Sequence, residues 1–184
     1  LPHCCSFRRH IFYSLLQQAV SPRDSLGTRL AVGRWLEFLQ HVAPLAEERG
    51  VTLALEPCAR PGMGTDREAM ALADSVGSPR VRVYLDVANI RMAGVDSVQA
   101  VRTRGQRYLA HVHMKDLREN PPGGERRFQV VGIGKGMLDF PAICRALREV
   151  GYDGWLTLET PSDGEPRESA KRNLEALKAA CGGA

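Results

Sequence analysis

Four residues of this 184-residue sequence, Glu56, Asp86, His113 and Glu159, have the types and the placement of a divalent-metal site. Each closes a short, largely apolar run: Val51 to Glu56, Val81 to Asp86, Leu109 to His113 and Trp155 to Glu159. Read as strands, these runs send successive side chains to opposite faces. Val51, Leu53 and Leu55 oppose Thr52, Ala54 and Glu56; Val81, Val83 and Leu85 oppose Arg82, Tyr84 and Asp86. His111, His113 and Lys115 share a face, and Leu156 and Leu158 oppose Trp155, Thr157 and Glu159. One carboxylate at a strand end reads as a cap or a salt-bridge partner. Four metal-type residues at matching places on successive strands read as one site. Three carboxylates cannot stand together unpaired in a low-dielectric cleft, and a cation removes the repulsion. Three oxygens and one imidazole nitrogen suit one divalent metal ion, Mn2+, Mg2+ or Co2+, with Zn2+ also compatible. His111 falls one layer deeper and is expected beside the site rather than on the ion.

The elements that must position these residues alternate. Thr28 to Arg49 has Leu30, Trp35, Leu36, Leu39, Val42 and Leu45 near helical spacing, with Pro44 a candidate kink and Gly50 a stop. Arg67 to Ser75, Asp96 to Arg107, Phe140 to Val150 and Glu168 to Ala180 are the other predicted helices. Leu117 to Gly136 reads as a long Gly-, Pro- and Arg-rich loop. Strands alternating with helices at this spacing make an α/β fold of βαβ units on a parallel sheet, either doubly wound or a (β/α) barrel. No G-x-G-x-x-G follows the first strand. Gly132-Ile133-Gly134-Lys135-Gly136 lacks Walker spacing and follows no predicted strand, so it reads as a mobile or ligand-closing loop. Residues 1–27 fit no clear unit and are taken as an irregular N-terminal segment, with Ile11 to Ala19 a short helix or strand.

Composition narrows the class. The chain is 43% hydrophobic and 25% charged, which is globular rather than disordered. The net charge of +4 comes from scattered arginines, which suits a solvated surface better than a nucleic-acid groove. Five cysteines, an odd number without a C-x-x-C pair, argue against a disulfide framework and fit a reducing cytosol. Cys58, just past Glu56, has no base at fixed spacing and reads as inert. No apolar run reaches the roughly 18 residues that span a bilayer, and no signal peptide is evident, so a cytoplasmic protein without a membrane partner is expected.

Leu-Ala-Leu-Glu-Pro at 53–57, Tyr-Leu-Asp-Val-Ala-Asn at 84–89, His-Val-His-Met-Lys-Asp at 111–116 and Gly-Tyr-Asp-Gly-Trp-Leu-Thr-Leu-Glu at 151–159 resemble the last four strand motifs of the sugar phosphate isomerase/epimerase family of xylose isomerase-like barrels. Gly134-Lys135-Gly136 followed by Leu138-Asp139-Phe140 is similar to that family's segment before its seventh helix. The resemblance covers about Leu36 to Leu177. It implies a TIM-barrel-type fold, incomplete here, with 28–184 as about four C-terminal β/α units. Four parallel strands in sequence order are then expected, each followed by a helix, the first helix covering the first strand's edge. It also implies one divalent metal on Glu56, Asp86, His113 and Glu159, with Glu56 and Glu159 as the catalytic proton carriers. Asn89 stands where relatives often have a substrate-contacting His, and Met63 where ketose epimerases have a substrate-binding Glu. Lys115 and Arg118 either hold an anionic or hydroxylated substrate end or form surface salt bridges with Asp116 or Glu119.

The chemistry implied is removal of a proton beside the carbonyl of a small-molecule sugar, ketose or aldose, through an enediolate. Reprotonation at the same carbon epimerises, at the next carbon isomerises, and loss of a β-hydroxyl dehydrates. Two rival readings remain. Endonuclease IV-type nucleases share the barrel, but they need a His three residues after the Asp and an Asp-x-His later; this chain has Asn89 and Arg126-Arg127-Phe128. The other is an inactive barrel fragment, since a complete barrel takes about 250 residues. An isolated half leaves sheet edges open and closes only by pairing with a second half, for which a homo-oligomer is one route.

Overall fold

The computed structural model describes residues 10–11, 25–57, 65–123 and 126–182. Five strands form a parallel sheet in sequence order: β1 (His10–Ile11), β2 (Thr52–Leu55), β3 (Val81–Asp86), β4 (Leu109–Met114) and β7 (Leu156–Leu158). Between and after them run α1 (Ser25–Glu48), α2 (Asp66–Val76), α3 (Val87–Met92), α4 (Ser97–Tyr108), α5 (Phe140–Glu149) and α6 (Pro166–Ala180). The arrangement is an arc of a (β/α) barrel. The four expected strands are parallel and in order. The free edge of β2 is taken by β1 rather than by a helix, so His10–Ile11 join the sheet although they fall within the stretch read as irregular. The rest of the segment Ile11 to Ala19 lies outside the described residues.

Helix α5 shows how the sequence sets the layers. Phe140, Ile143, Cys144 and Leu147 recur at helical spacing and are all buried. They pack with Leu85, Leu109, Val112 and Met114 from the outward faces of β3 and β4. Asp139 caps the helix, accepting from Ala142 N at 2.9 Å. A second core joins Leu39 and Ala43 of α1 to Ala69 and Leu72 of α2 over Leu55, Val81 and Val83. Thr65 opens α2 with a capping box closed by Glu68.

Three expectations need correction. The stretch Leu117 to Gly136 is not all loop: β5 (Asp116–Glu119) and β6 (Phe128–Val131) form an antiparallel hairpin beside the main sheet. The short β-branched run at Val130–Val131 was masked by its Arg- and Gly-rich flanks. The Gly132–Gly136 loop is not held loosely either. The buried Asp116 carboxylate accepts from Leu117 N at 2.8 Å, Gly134 N at 3.0 Å, Gly136 N at 2.8 Å and Leu138 N at 3.2 Å. Asn173 of α6 adds a bond from Ile133 N at 2.7 Å. A side chain at Gly136 would collide with Asp116 and the Leu117 carbonyl, so only glycine fits there. Third, Cys144 and Cys181 are joined as a disulfide that ties α5 to the end of α6. Cysteine count and spacing did not show it, because the partners meet through helix packing across 37 residues.

One ion pair lies inside the helix layer. Arg104 of α4 is fully buried, and Nη2 lies 3.3 Å from Asp66 Oδ2 at the start of α2. Burial pushes the Arg104 guanidinium down to about 10, with Asp66 pulling the other way. The pair completes no well-formed hydrogen bond to the guanidinium. Removing only the carboxylate strands a buried charge, which costs about 3–5 kcal/mol, whereas removing both charges is close to neutral. Asp66→Asn is therefore expected to lower the urea midpoint strongly at pH 7, and Asp66→Asn combined with Arg104→Met to recover most of the loss. Equal midpoints for the single variant and the parent chain would show that the pair is energetically idle.

Candidate metal centre

All four predicted ligands stand at the C-terminal ends of neighbouring strands. Glu56 follows β2, Asp86 ends β3, His113 is the last residue but one of β4, and Glu159 follows β7. One ligand-type atom from each lies within 4.8 Å of the others. Register produces this convergence. Asp86 is opposite His113, and His113 is opposite Thr157. The β3–β4 ladder pairs Val83 with Leu109 and then Tyr84 with His111, which leaves Ala110 as an extra residue. Without that irregularity Asp86 would stand opposite Val112. With it, Leu109 keeps its place under the helices while His111 and His113 turn to the inner face.

Each side chain is held by its element. Asp86 divides its oxygens: Oδ1 caps α3, accepting from Ala88 N and Asn89 N at 2.9 Å each, and Oδ2 faces the cluster. His113 Nδ1 is 3.1 Å from Glu159 Oε2 and 4.0 Å from Asp86 Oδ2. The Tyr84 ring packs edge-on against His113 with centroids 4.2 Å apart. Asn89 Nδ2 donates to Glu56 Oε1 at 3.4 Å, so this residue is at the cluster, in contact with one of the four predicted residues. His111 lies deeper, as expected, with Nε2 2.6 Å from Thr157 Oγ1. Tyr84 and Thr157, which alternation also puts on the inner face, support the two imidazoles without joining the cluster. Helix α3 was missed altogether, since six residues are too few for a periodic signal.

Lys115 is neither at the surface nor paired with Asp116. Its ammonium lies 2.9 Å from Asp86 Oδ2 and 2.7 Å from Glu159 Oε2, with the side chain 11% exposed. Arg118 is not brought to the cluster; it is exposed on the hairpin, where Nη2 donates to Gln129 Oε1 at 2.9 Å. Cys58 and Met63 lie outside the described residues.

The donor set fits a divalent ion. Asp86 Oδ2 and His113 Nδ1 are buried and complete no hydrogen bond among the described residues, the contact of Asp86 with Lys115 being an ion pair. Burial, and then the charges of Asp86 and Glu159, push the Glu56 carboxyl up to about 7. Burial also raises Asp86 against the pull of Lys115. Burial acts the same way on Glu159, but hydrogen bonding and charge from Lys115, with His113, hold this half-exposed carboxyl below its ordinary value. Burial lowers His113, which favours the neutral imidazole that binds metals.

A profile of the family described as xylose isomerase-like TIM barrel matches residues 15–180. The chain is similar to an inosose dehydratase of Lacticaseibacillus casei, 28% identical over 166 residues covering 84% of this chain and 54% of that protein. It is similar to a D-psicose 3-epimerase of Enterocloster bolteae, 29% identical over 139 residues covering 74% of this chain and 41% of that protein. The chain spans about half the length of these curated relatives. Among solved structures it resembles the IolI protein with a binding zinc atom, with a TM-score of 0.67 at 19% identity, covering 88% of this chain and 58% of that one.

The raised Glu56 predicts a pH signature. Its ordinary value is 4.5 and its folded value about 7. Below 4.5 both states hold the proton and nothing is lost. Between 4.5 and 7 the unfolded chain releases the proton more readily, so stability falls as pH rises. In the presence of a chelator, Glu56→Gln is expected to match the parent at pH 4.5 and to unfold at higher urea at pH 8. A pH-independent difference would remove the assigned electrostatic strain.

Proposed function

This chain belongs to the xylose isomerase-like TIM barrel family, and we propose that it holds one divalent metal ion on Glu56, Asp86, His113 and Glu159. The proposed reaction is isomerisation or epimerisation of a sugar or sugar-like ketose or aldose through an enediolate. The observation that carries this reading is the convergence of three carboxylates and one imidazole within 4.8 Å at adjacent parallel strand ends. Barrel enzymes build their active sites at that end of the strands. The zinc atom named with the IolI structure and the sugar substrate class named for the epimerase relative support it.

A bound ion would act as a Lewis acid on a substrate carbonyl and its neighbouring hydroxyl. The remaining work falls to the chain. Glu56 and Glu159 flank the cluster, with β3 and β4 between their strands, so they approach a substrate from two sides. One removes the proton alpha to the carbonyl, and the other returns one to the opposite face in an epimerisation. Asn89, already against Glu56, fixes that carboxylate and offers a hydrogen bond to a hydroxyl. It cannot serve as a base near neutral pH. Arg118 has no part in this arrangement.

A second reading is dehydration, and the similarity to an inosose dehydratase is the observation that favours it. It shares the α-proton removal and differs in the loss of a β-hydroxyl. The described residues supply five parallel strands where a closed barrel has eight, so turnover on these strands alone is expected to be slow and to rise when further strands complete the wall.

The test is solvent deuterium uptake into a panel of ketoses and keto-inositols with added Mn2+, for the chain and its Glu159→Gln variant. Uptake is expected to depend on Mn2+ and to fall by roughly a hundredfold or more in the variant. A product that differs from the substrate formula only by deuterium in place of hydrogen indicates isomerase or epimerase, and loss of water indicates dehydratase. Uptake that survives Glu159→Gln unaltered would sink the assigned proton route.

A further inference from the structure

Lys115 follows His113 by two residues and therefore shares its face. Its ammonium rests on Asp86 Oδ2 and Glu159 Oε2, the same two oxygens that face His113 Nδ1. These are the lone pairs that a divalent ion would take at about 2.0–2.6 Å. A divalent ion at those distances repels an ammonium seated on the same oxygens, so the two cations compete for them. Asp116, its neighbour in sequence, offers no substitute partner: it points to the opposite face and is fully engaged by the Leu117, Gly134, Gly136 and Leu138 amides.

We infer that Lys115 is a built-in counter-ion that competes with the divalent metal for Asp86 and Glu159, and so sets the affinity of the site. This rests on the metal reading above and adds to it a role in loading. Metal entry moves the Lys115 ammonium off both carboxylates and toward solvent. The chain gains a cluster that remains compact without an ion, because three carboxylates keep a positive partner. It gives up affinity in proportion to the fraction of time the ammonium holds the oxygens: apparent affinity scales with the binding-competent fraction.

Two measurements test this. The first is calorimetric titration of Mn2+ and Zn2+ into the parent chain and Lys115→Met at one pH and ionic strength. Binding is expected to be roughly tenfold tighter or more in the variant, as for a competitor present about nine-tenths of the time. The second uses the unmodified chain, so it stands even where the variant does not fold. The sequence has four lysines, Lys115, Lys135, Lys171 and Lys178. Acetylation by an amine-reactive ester, read at each lysine by mass spectrometry, should be slow at buried Lys115 and rise several-fold on adding Mn2+. The exposed Lys135, Lys171 and Lys178 should not change and serve as internal controls. Equal or weaker metal binding in Lys115→Met overturns the competition, and so does unchanged labelling of Lys115 on metal addition. Those results would leave the metal site itself intact. Absence of Mn2+ and Zn2+ binding to both chains overturns the metal reading and this inference with it.

Discussion

Mutual repulsion among Glu56, Asp86 and Glu159 is the constraint on which the rest of the site depends. Two unit charges about 4 Å apart near a protein surface interact by about 4 kcal/mol. A whole domain is stable by only about 5–15 kcal/mol. Three such carboxylates cannot be gathered without compensation, and the compensation is visible. Asp86 spends one oxygen on two backbone amides of α3. Lys115 bridges Asp86 and Glu159. Glu56, farthest from that ammonium in the strand order, is left to bear the burial and the two negative neighbours, which is why its carboxyl rises to about 7. The neutralisation is therefore uneven, and the unevenness separates Glu56 and Glu159 chemically: one carboxyl holds a proton more tightly than usual and the other less.

Gathering the groups at all is a matter of backbone register. Parallel strands place equivalent ends side by side, but the period of two decides which side chains face the cleft, and a slip of one residue reverses it. The extra residue at Ala110 makes that correction within β4. It lets Leu109 stay in the core beneath the helices while His113 comes level with Asp86. Further support comes from below: Tyr84 packs against both imidazoles and His111 bonds to Thr157 across β4 and β7. The four clustered side chains thus stand over a packed layer at the ends of paired strands, so strand pairing sets their spacing.

The parts legible in the sequence were those with a strong short-range signal. Strand-end Glu56, Asp86, His113 and Glu159 showed through alternation, and helices such as α5 through their periodicity. Parallel order followed from the alternation of elements. What escaped the reading depends on distant partners. The Cys144–Cys181 disulfide and the Arg104–Asp66 pair exist because helices pack side by side, which no local pattern reports. The β5–β6 hairpin lay in a stretch whose Arg and Gly content outweighed two short strands. Lys115 and Arg118, three residues apart just past His113, are equivalent as local sequence. Parity separates them: Lys115 continues the inner face of His113, while Arg118 has already entered a different sheet.

Lys115 and Asp116 connect the carboxylate cluster to the Gly132–Gly136 loop. These adjacent residues leave the end of β4 in opposite directions, one into the carboxylate cluster and one into the amides of Gly134, Gly136 and Leu138. The loop that Asp116 holds also reaches the segment after β7, because Lys135 of the loop pairs with Asp163 at 2.8 Å. Glu159 begins that same segment. The chain from β4 to β7 is therefore closed by short contacts at both of its ends around the ligands it carries. The proposed metal affinity would follow from groups within this arc, since each proposed ligand and the Lys115 ammonium stand at the ends of adjacent strands. Substrate choice does not, because the facing wall of a barrel belongs to other strands. The proposed metal binding and the proposed turnover are for that reason separable, and the first can be measured without the second.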